Sequence, residues 1–96
     1  MLRHVAVFVF TPEFEADGLD HWMQRVRELA FVVPGVRMLS VGRDVVDNDG
    51  PWQVALVADF DDRAALERYN AHPAHQAVLA ISGPARVQRA IVDFEI

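Results

Sequence analysis

The segment from Tyr69 to His75 holds a phenol and two imidazoles, and the opening strand adds another histidine, His4. Imidazole is the side chain whose ordinary pKa lies nearest neutrality, so a histidine aimed into an apolar cavity can take a proton from a substrate. Pro73 divides the His72-Pro73-Ala74-His75 pair. It pushes His72 toward an extended backbone and suits the first position of a helix, where its missing N–H costs nothing. His72 therefore reads as an N-cap. His75 falls in the first helical turn, where the positive end of the helix dipole disfavours imidazolium. A neutral His75 is what a general base requires. Tyr69, before the chain reversal, can orient that base or hydrogen-bond a substrate carbonyl. These two residues are the candidate catalytic pair, with a capping or packing role as the plainer alternative for each.

His4 alternates with Ala6 and Phe8 on one strand face, which makes it a candidate pocket donor or a satisfied core histidine. Phe8, Met23 and Val26 join it as candidate substrate-binding residues. The same apolar side chains would equally make an ordinary core. The His-x-x-His spacing also suits a metal in principle, but Pro73 turns the two rings apart and no carboxylate pattern completes a ligand set. Asp44, Asp47 and Asp49 read as a solvated turn. No metal and no cofactor are expected.

These residues need elements to position them. Residues 2 to 10 alternate with apolar side chains on both faces, the mark of a central strand, and Thr11-Pro12 ends it. Asp17 reads as the N-cap of a helix carrying Leu19, Trp22, Met23, Val26, Leu29, Ala30 and Val33 on one stripe. Pro34-Gly35 stops that helix. A strand from Val36 to Val45 and another from Trp52 to Phe60 flank the turn Asp47-Asn48-Asp49-Gly50-Pro51, which predicts a hairpin. Asp61-Asp62 caps a short helix through Tyr69, Pro73 opens another to about Ile81, and a last strand spans Arg86 to Ile96.

The order β-α-β-β-α-β predicts an α+β, ferredoxin-like fold, with helices on one face of a four-stranded antiparallel sheet. The other face is left bare and carries Val5, Val7 and Val9. A flat β-branched surface of this kind suits packing on a second copy of itself, so the expected partner is another copy of the chain, in a homodimer closed through the open sheet face.

Composition bounds the rest. Ninety-six residues make one domain, and 52% hydrophobic content is high for that size, in keeping with an oligomer. The net charge is −5 and the nine basic residues, all arginine, form no stripe, so no nucleic-acid partner is expected. Cysteine is absent, which removes disulfides and thiolate chemistry. No apolar run reaches membrane-spanning length and the first residues lack the features of a signal peptide, so a cytoplasmic protein without membrane contact is expected.

Arg3-His4-Val5, the helix end Val32-Val33-Pro34-Gly35-Val36, the strand Val41-Gly42-Arg43-Asp44-Val45, Tyr69 with His72-Pro73-Ala74-His75-Gln76, and the closing Ile91-Val92-Asp93-Phe94-Glu95 together resemble the stress-responsive A/B-barrel domain family. The resemblance spans nearly the whole chain as a single such domain and implies a dimeric α+β barrel of ferredoxin-like subunits. Part of the pocket motif resembles polyketide cyclases of the olivetolic acid cyclase type, which perform an aldol condensation without metal or organic cofactor. That likeness implies His75 as base, with Tyr69 and His4 beside it. Val26 stands where those cyclases carry a further pocket tyrosine, a departure that bears on substrate and reaction.

Three readings follow from these residues. The first is a cyclase-like enzyme acting on a small hydrophobic molecule by aldol-type proton abstraction. The second is a non-catalytic module that binds a small ligand or serves stress protection. The third is a cofactor-free monooxygenase on the same fold.

Overall fold

The computed structural model describes residues 1–96. Strand β1 (Leu2–Phe10) is followed by helices α1 (Pro12–Asp17) and α2 (Leu19–Val32), strands β2 (Val36–Arg43) and β3 (Val54–Phe60), helices α3 (Arg63–Ala71) and α4 (Pro73–Ser82), a 3-10 turn (Gly83–Ala85) and strand β4 (Arg86–Glu95). The sheet order is β2-β3-β1-β4 with every neighbour antiparallel, the ferredoxin-like α+β arrangement. β1 is interior, as its two apolar faces require.

The alternation in β1 decides what lies under the helices. His4, Ala6, Phe8 and Phe10 are buried, while Arg3, Val5, Val7 and Val9 are half-buried on the opposite face. Leu19, Trp22, Met23, Val26 and Leu29 of α2 are buried in one core with Ala6, Phe8 and Phe10 and with Leu56, Ala58 and Phe60 of β3. Fully burying one such side chain contributes about 1.5–3 kcal/mol, so this stripe fixes the helix on the sheet. Phe8 stacks on Phe10 with centroids 5.6 Å apart, and Trp22 meets both rings edge-on.

The first helix differs from expectation. Asp17 does not cap α2. It ends α1, a helix started by Thr11, whose hydroxyl accepts from the Phe14 N–H, with Pro12 in the first turn. Gly18 joins the two helices, and a Cβ there would meet the Phe14 ring at 2.8 Å, so a side chain would push aside the ring that closes over the junction. The hairpin strands are also shorter than their hydrophobic runs, β2 ending at Arg43 and β3 starting at Val54. Asp44 folds back to accept from the backbone N–H groups of Val46 and Asn48, which turns the chain out of the ladder.

The face of the sheet away from the helices carries Val5, Val7 and Val9 beside Val92 and Phe94 of β4, the last two 63% and 43% exposed. Arg3 forms a bidentate pair across it with Asp59, at 2.8 and 2.9 Å, and holds that carboxyl below the usual carboxylate range. Every residue of β4 is exposed, so the helices leave this edge strand uncovered on both faces. No helix is long and apolar enough to cross a membrane.

Candidate active site

The His72-Pro73 break sets the site. Asp62 caps α3 by accepting from the Ala65 N–H at 2.9 Å, and the helix runs to Ala71. His72 is then extended, and its Nδ1 accepts from the Ala74 N–H at 3.0 Å, so its ring is committed to capping α4. His75, one turn into α4, faces back toward α3. Its Nδ1 lies 3.2 Å from the Asn70 carbonyl oxygen. A carbonyl can only accept, so Nδ1 carries the proton and the neutral ring keeps its lone pair on Nε2. Burial, joined by the neighbouring His4 and Arg89, pulls the His75 pKa below that of a free imidazole, and the Asn70 carbonyl opposes them.

Tyr69, in the last turns of α3, is one of the largest fully buried side chains, packed on Phe60 at 5.0 Å and on the His75 ring at 4.4 Å between centroids. Burial pushes its phenol up to about 12. Such a hydroxyl stays protonated at physiological pH, so Tyr69 is available as a hydrogen-bond donor rather than as a base.

His4 reaches the site from β1. It pairs in register with Asp93 of β4, and its Nδ1 donates to the Asp93 carboxylate at 2.5 Å. The contact fixes the ring and leaves Nε2 as the free nitrogen.

These side chains line one cavity of about 60 Å³ between the sheet and the helices. Its floor is Ala6, Phe8 and Leu56, and its helical wall is Trp22, Val26, Leu29, Val78 and Leu79. The exposed members of the lining, Asn70, Arg89 and Ile91, mark the mouth, where β4 lies uncovered. His4, Tyr69, His75, Phe8 and Val26 thus share a cavity. Met23 does not: it is buried in the core one helical turn earlier than Val26 and is absent from the lining. Its position on the apolar stripe of α2 made it a candidate, but the stripe is longer than the cavity.

Two polar residues of the site were not singled out as candidates from the sequence. Asp93 and Arg89 alternate with Ile91 on one face of β4, and only the pairing of β4 with β1 brings that face toward His4. Trp22 contributes a further polar group. Its Nε1 is a buried side-chain donor with no acceptor.

Chemically, the arrangement offers an acceptor nitrogen on His75, a permanent donor on Tyr69 and an imidazole on His4 steered by a carboxylate, all in an apolar enclosure that strengthens their electrostatics.

A family model described as Stress responsive A/B Barrel Domain matches residues 2–96. No curated protein matches the sequence. Among solved structures, a dimeric ferredoxin-like protein of unknown function from Thermobifida fusca is 28% identical, with 99% of this chain and 90% of that chain covered and a TM-score of 0.89. A dimeric protein of the same fold and also of unknown function, from Bacteroides fragilis, is 23% identical over 99% of this chain and 95% of that one, with a TM-score of 0.89. A hydroxynitrile lyase from Passiflora edulis shares the fold at 15% identity, covering 99% and 92% of the two chains with a TM-score of 0.87.

Proposed function

This chain belongs to the stress-responsive A/B barrel domain family, and we propose that it works as a homodimeric proton-transfer enzyme of the aldol type, with His75 as the base. The observation that carries the reading is the convergence of His4, Tyr69 and His75 on one cavity. The shared fold does not choose the chemistry, since one fold hosts many reactions; the residues do.

In the reaction we propose, Nε2 of His75 takes a proton from the carbon next to a substrate carbonyl. The C–H electron pair becomes the enolate double bond, and charge moves to the carbonyl oxygen, where the Tyr69 hydroxyl donates. His4, oriented by Asp93, holds the substrate on the other side. In an intramolecular aldol step the enolate carbon bonds to a second carbonyl of the same molecule, and the resulting alkoxide recovers the proton from His75. The cavity, about 60 Å³, is well below the roughly 300–1,000 Å³ of a site that engulfs a drug-sized ligand. It accommodates the reacting end of a compact carbonyl compound, with the remainder at the mouth.

Deuterium exchange tests the reading. With 2-pentanone in D2O, NMR should show protein-dependent loss of the protons flanking the carbonyl, and His75→Ala should reduce that rate by about a hundredfold, the range of a positioned general base. The melting temperature should barely move. Wild-type exchange at the buffer rate would leave a ligand-binding module as the better reading, and a His75→Ala protein that fails to fold would assign His75 to packing.

A further inference from the structure

Arg89 stands apart from the other arginines. Arg3, Arg25, Arg37, Arg43 and Arg63 each pair with a carboxylate, and Arg27 donates to the Val41 carbonyl. Arg68, Arg86 and Arg89 have no such partner, and of these only Arg89 lines the cavity.

Its strand explains the missing partner. Asp93, the acid on the same face of β4, is four residues away, about 13 Å along an extended chain, and is held by His4. The charged side chain that perturbs Arg89 is another cation, Arg86. A protein of net charge −5 thus presents a local positive site at the mouth of its apolar cavity. Partial burial and Arg86 both lower the Arg89 pKa, and a bound anion would relieve that unfavourable environment.

We propose that the substrate carries a carboxylate, which the Arg89 guanidinium anchors at the mouth while the carbonyl end enters toward His75 and Tyr69. This rests on the proton-transfer reading above and narrows its substrate to small oxo acids with an apolar body. A guanidinium fork matches the two oxygens of a carboxylate. One such fork beside a neutral imidazole suits a single negative charge, and the lining carries no second arginine or lysine to balance a phosphate dianion.

The test compares levulinate with its neutral methyl ester by NMR titration of the full-length protein. Levulinate should bind at least about tenfold more tightly, the worth of one charge-assisted contact. Arg89→Leu should abolish that difference, and Arg89→Lys should keep part of it. Because Arg89 is exposed and unpaired, the melting temperature of each variant should match the wild type. Equal binding of acid and ester, no binding of levulinate, or a preference that survives Arg89→Leu and disappears in Arg86→Leu would each overturn the proposal. Deuterium exchange in the same samples separates the two readings. Arg89-dependent binding without exchange supports the anchor and removes the proton-transfer reading. Equal exchange on acid and ester, untouched by Arg89→Leu, removes the anchor alone.

Discussion

The rings of Tyr69 and His75 lie 4.4 Å apart at 45° to one another, across the break that Pro73 puts between their helices. The contact joins a donor that burial keeps protonated to an acceptor whose pKa burial lowers. Their pKa values are pushed apart by burial, up for the phenol and down for the imidazole. The rate should therefore follow one group. Activity, as kcat/KM for proton exchange, should rise with pH along an acidic limb centred below 6.5 and then stay flat through neutral pH, because the phenol stays protonated to about 12. Stability should change in the same direction. The unfolded chain binds more protons than the folded one between the lowered pKa and 6.5, so the contribution of His75 is complete above 6.5 and is lost as pH falls through the folded value. A pH-rate profile with parallel thermal melts checks both; an acidic limb at or above 6.5 would contradict the assignment.

Removing only the Tyr69 hydroxyl separates chemistry from packing. Tyr69→Phe keeps the ring against Phe60 and His75, so the fold should persist while exchange slows by about a hundredfold, as for loss of one oxyanion donor. Tyr69→Ala should cost about 3–5 kcal/mol in urea unfolding, since it empties a fully buried site. If Tyr69→Phe exchanges protons at the wild-type rate, the hydroxyl is not the oxyanion donor.

On the proposed reading Asp93 positions His4, so its substitution should affect the site without affecting the fold. Its side chain is 37% exposed, so Asp93→Asn can be made without leaving a buried charge unpaired. The amide can still meet Nδ1 of His4, but it no longer offers the carboxylate that fixes the ring, so exchange should slow by about tenfold or more. The ring resonances of His4 should shift, those of His75 should stay, and Asp93→Glu should recover part of the rate. Unchanged His4 resonances would show that the pair does not govern the ring in solution.

Much of this was legible locally. The two-residue period of β1 sorts His4, Ala6 and Phe8 from Val5, Val7 and Val9, and the helical period of α2 gathers its buried stripe. Pro73 and Asp62 mark helix starts because caps act within one turn. The helix α1 was also signalled, by Thr11 as cap and Pro12 behind it, but the same pair reads equally as a strand stop. What stayed hidden depends on contacts distant in sequence. Asp93 and Arg89 join the site through the register of β4 on β1, which no local period encodes. Met23 and Val26 share the stripe of α2, and only where that helix crosses the sheet places Val26 on the cavity and leaves Met23 in the core.

The homodimer is tested on the open sheet. Val92 and Phe94 are exposed beside Val5 and Val7, and the Arg3–Asp59 pair is already satisfied within the subunit, so a second copy can cover this face without stranding a charge. A stable pair of this kind buries roughly 800 Å² on each subunit. Val92→Asp puts a carboxylate into that apolar contact on both copies at once, which the twofold symmetry doubles. In sedimentation at micromolar concentration the wild type should run as a dimer and Val92→Asp as a monomer, with circular dichroism unchanged because Val92 is solvent-exposed within the subunit. The Arg3–Asp59 pair supplies a control. Asp59 is held below the usual carboxylate range, so it stays ionised throughout the window, and lowering the pH from 8 to 6 should leave the dimer intact. A wild type that sediments as a monomer, or a Val92→Asp variant that remains dimeric, would place the interface elsewhere or remove it.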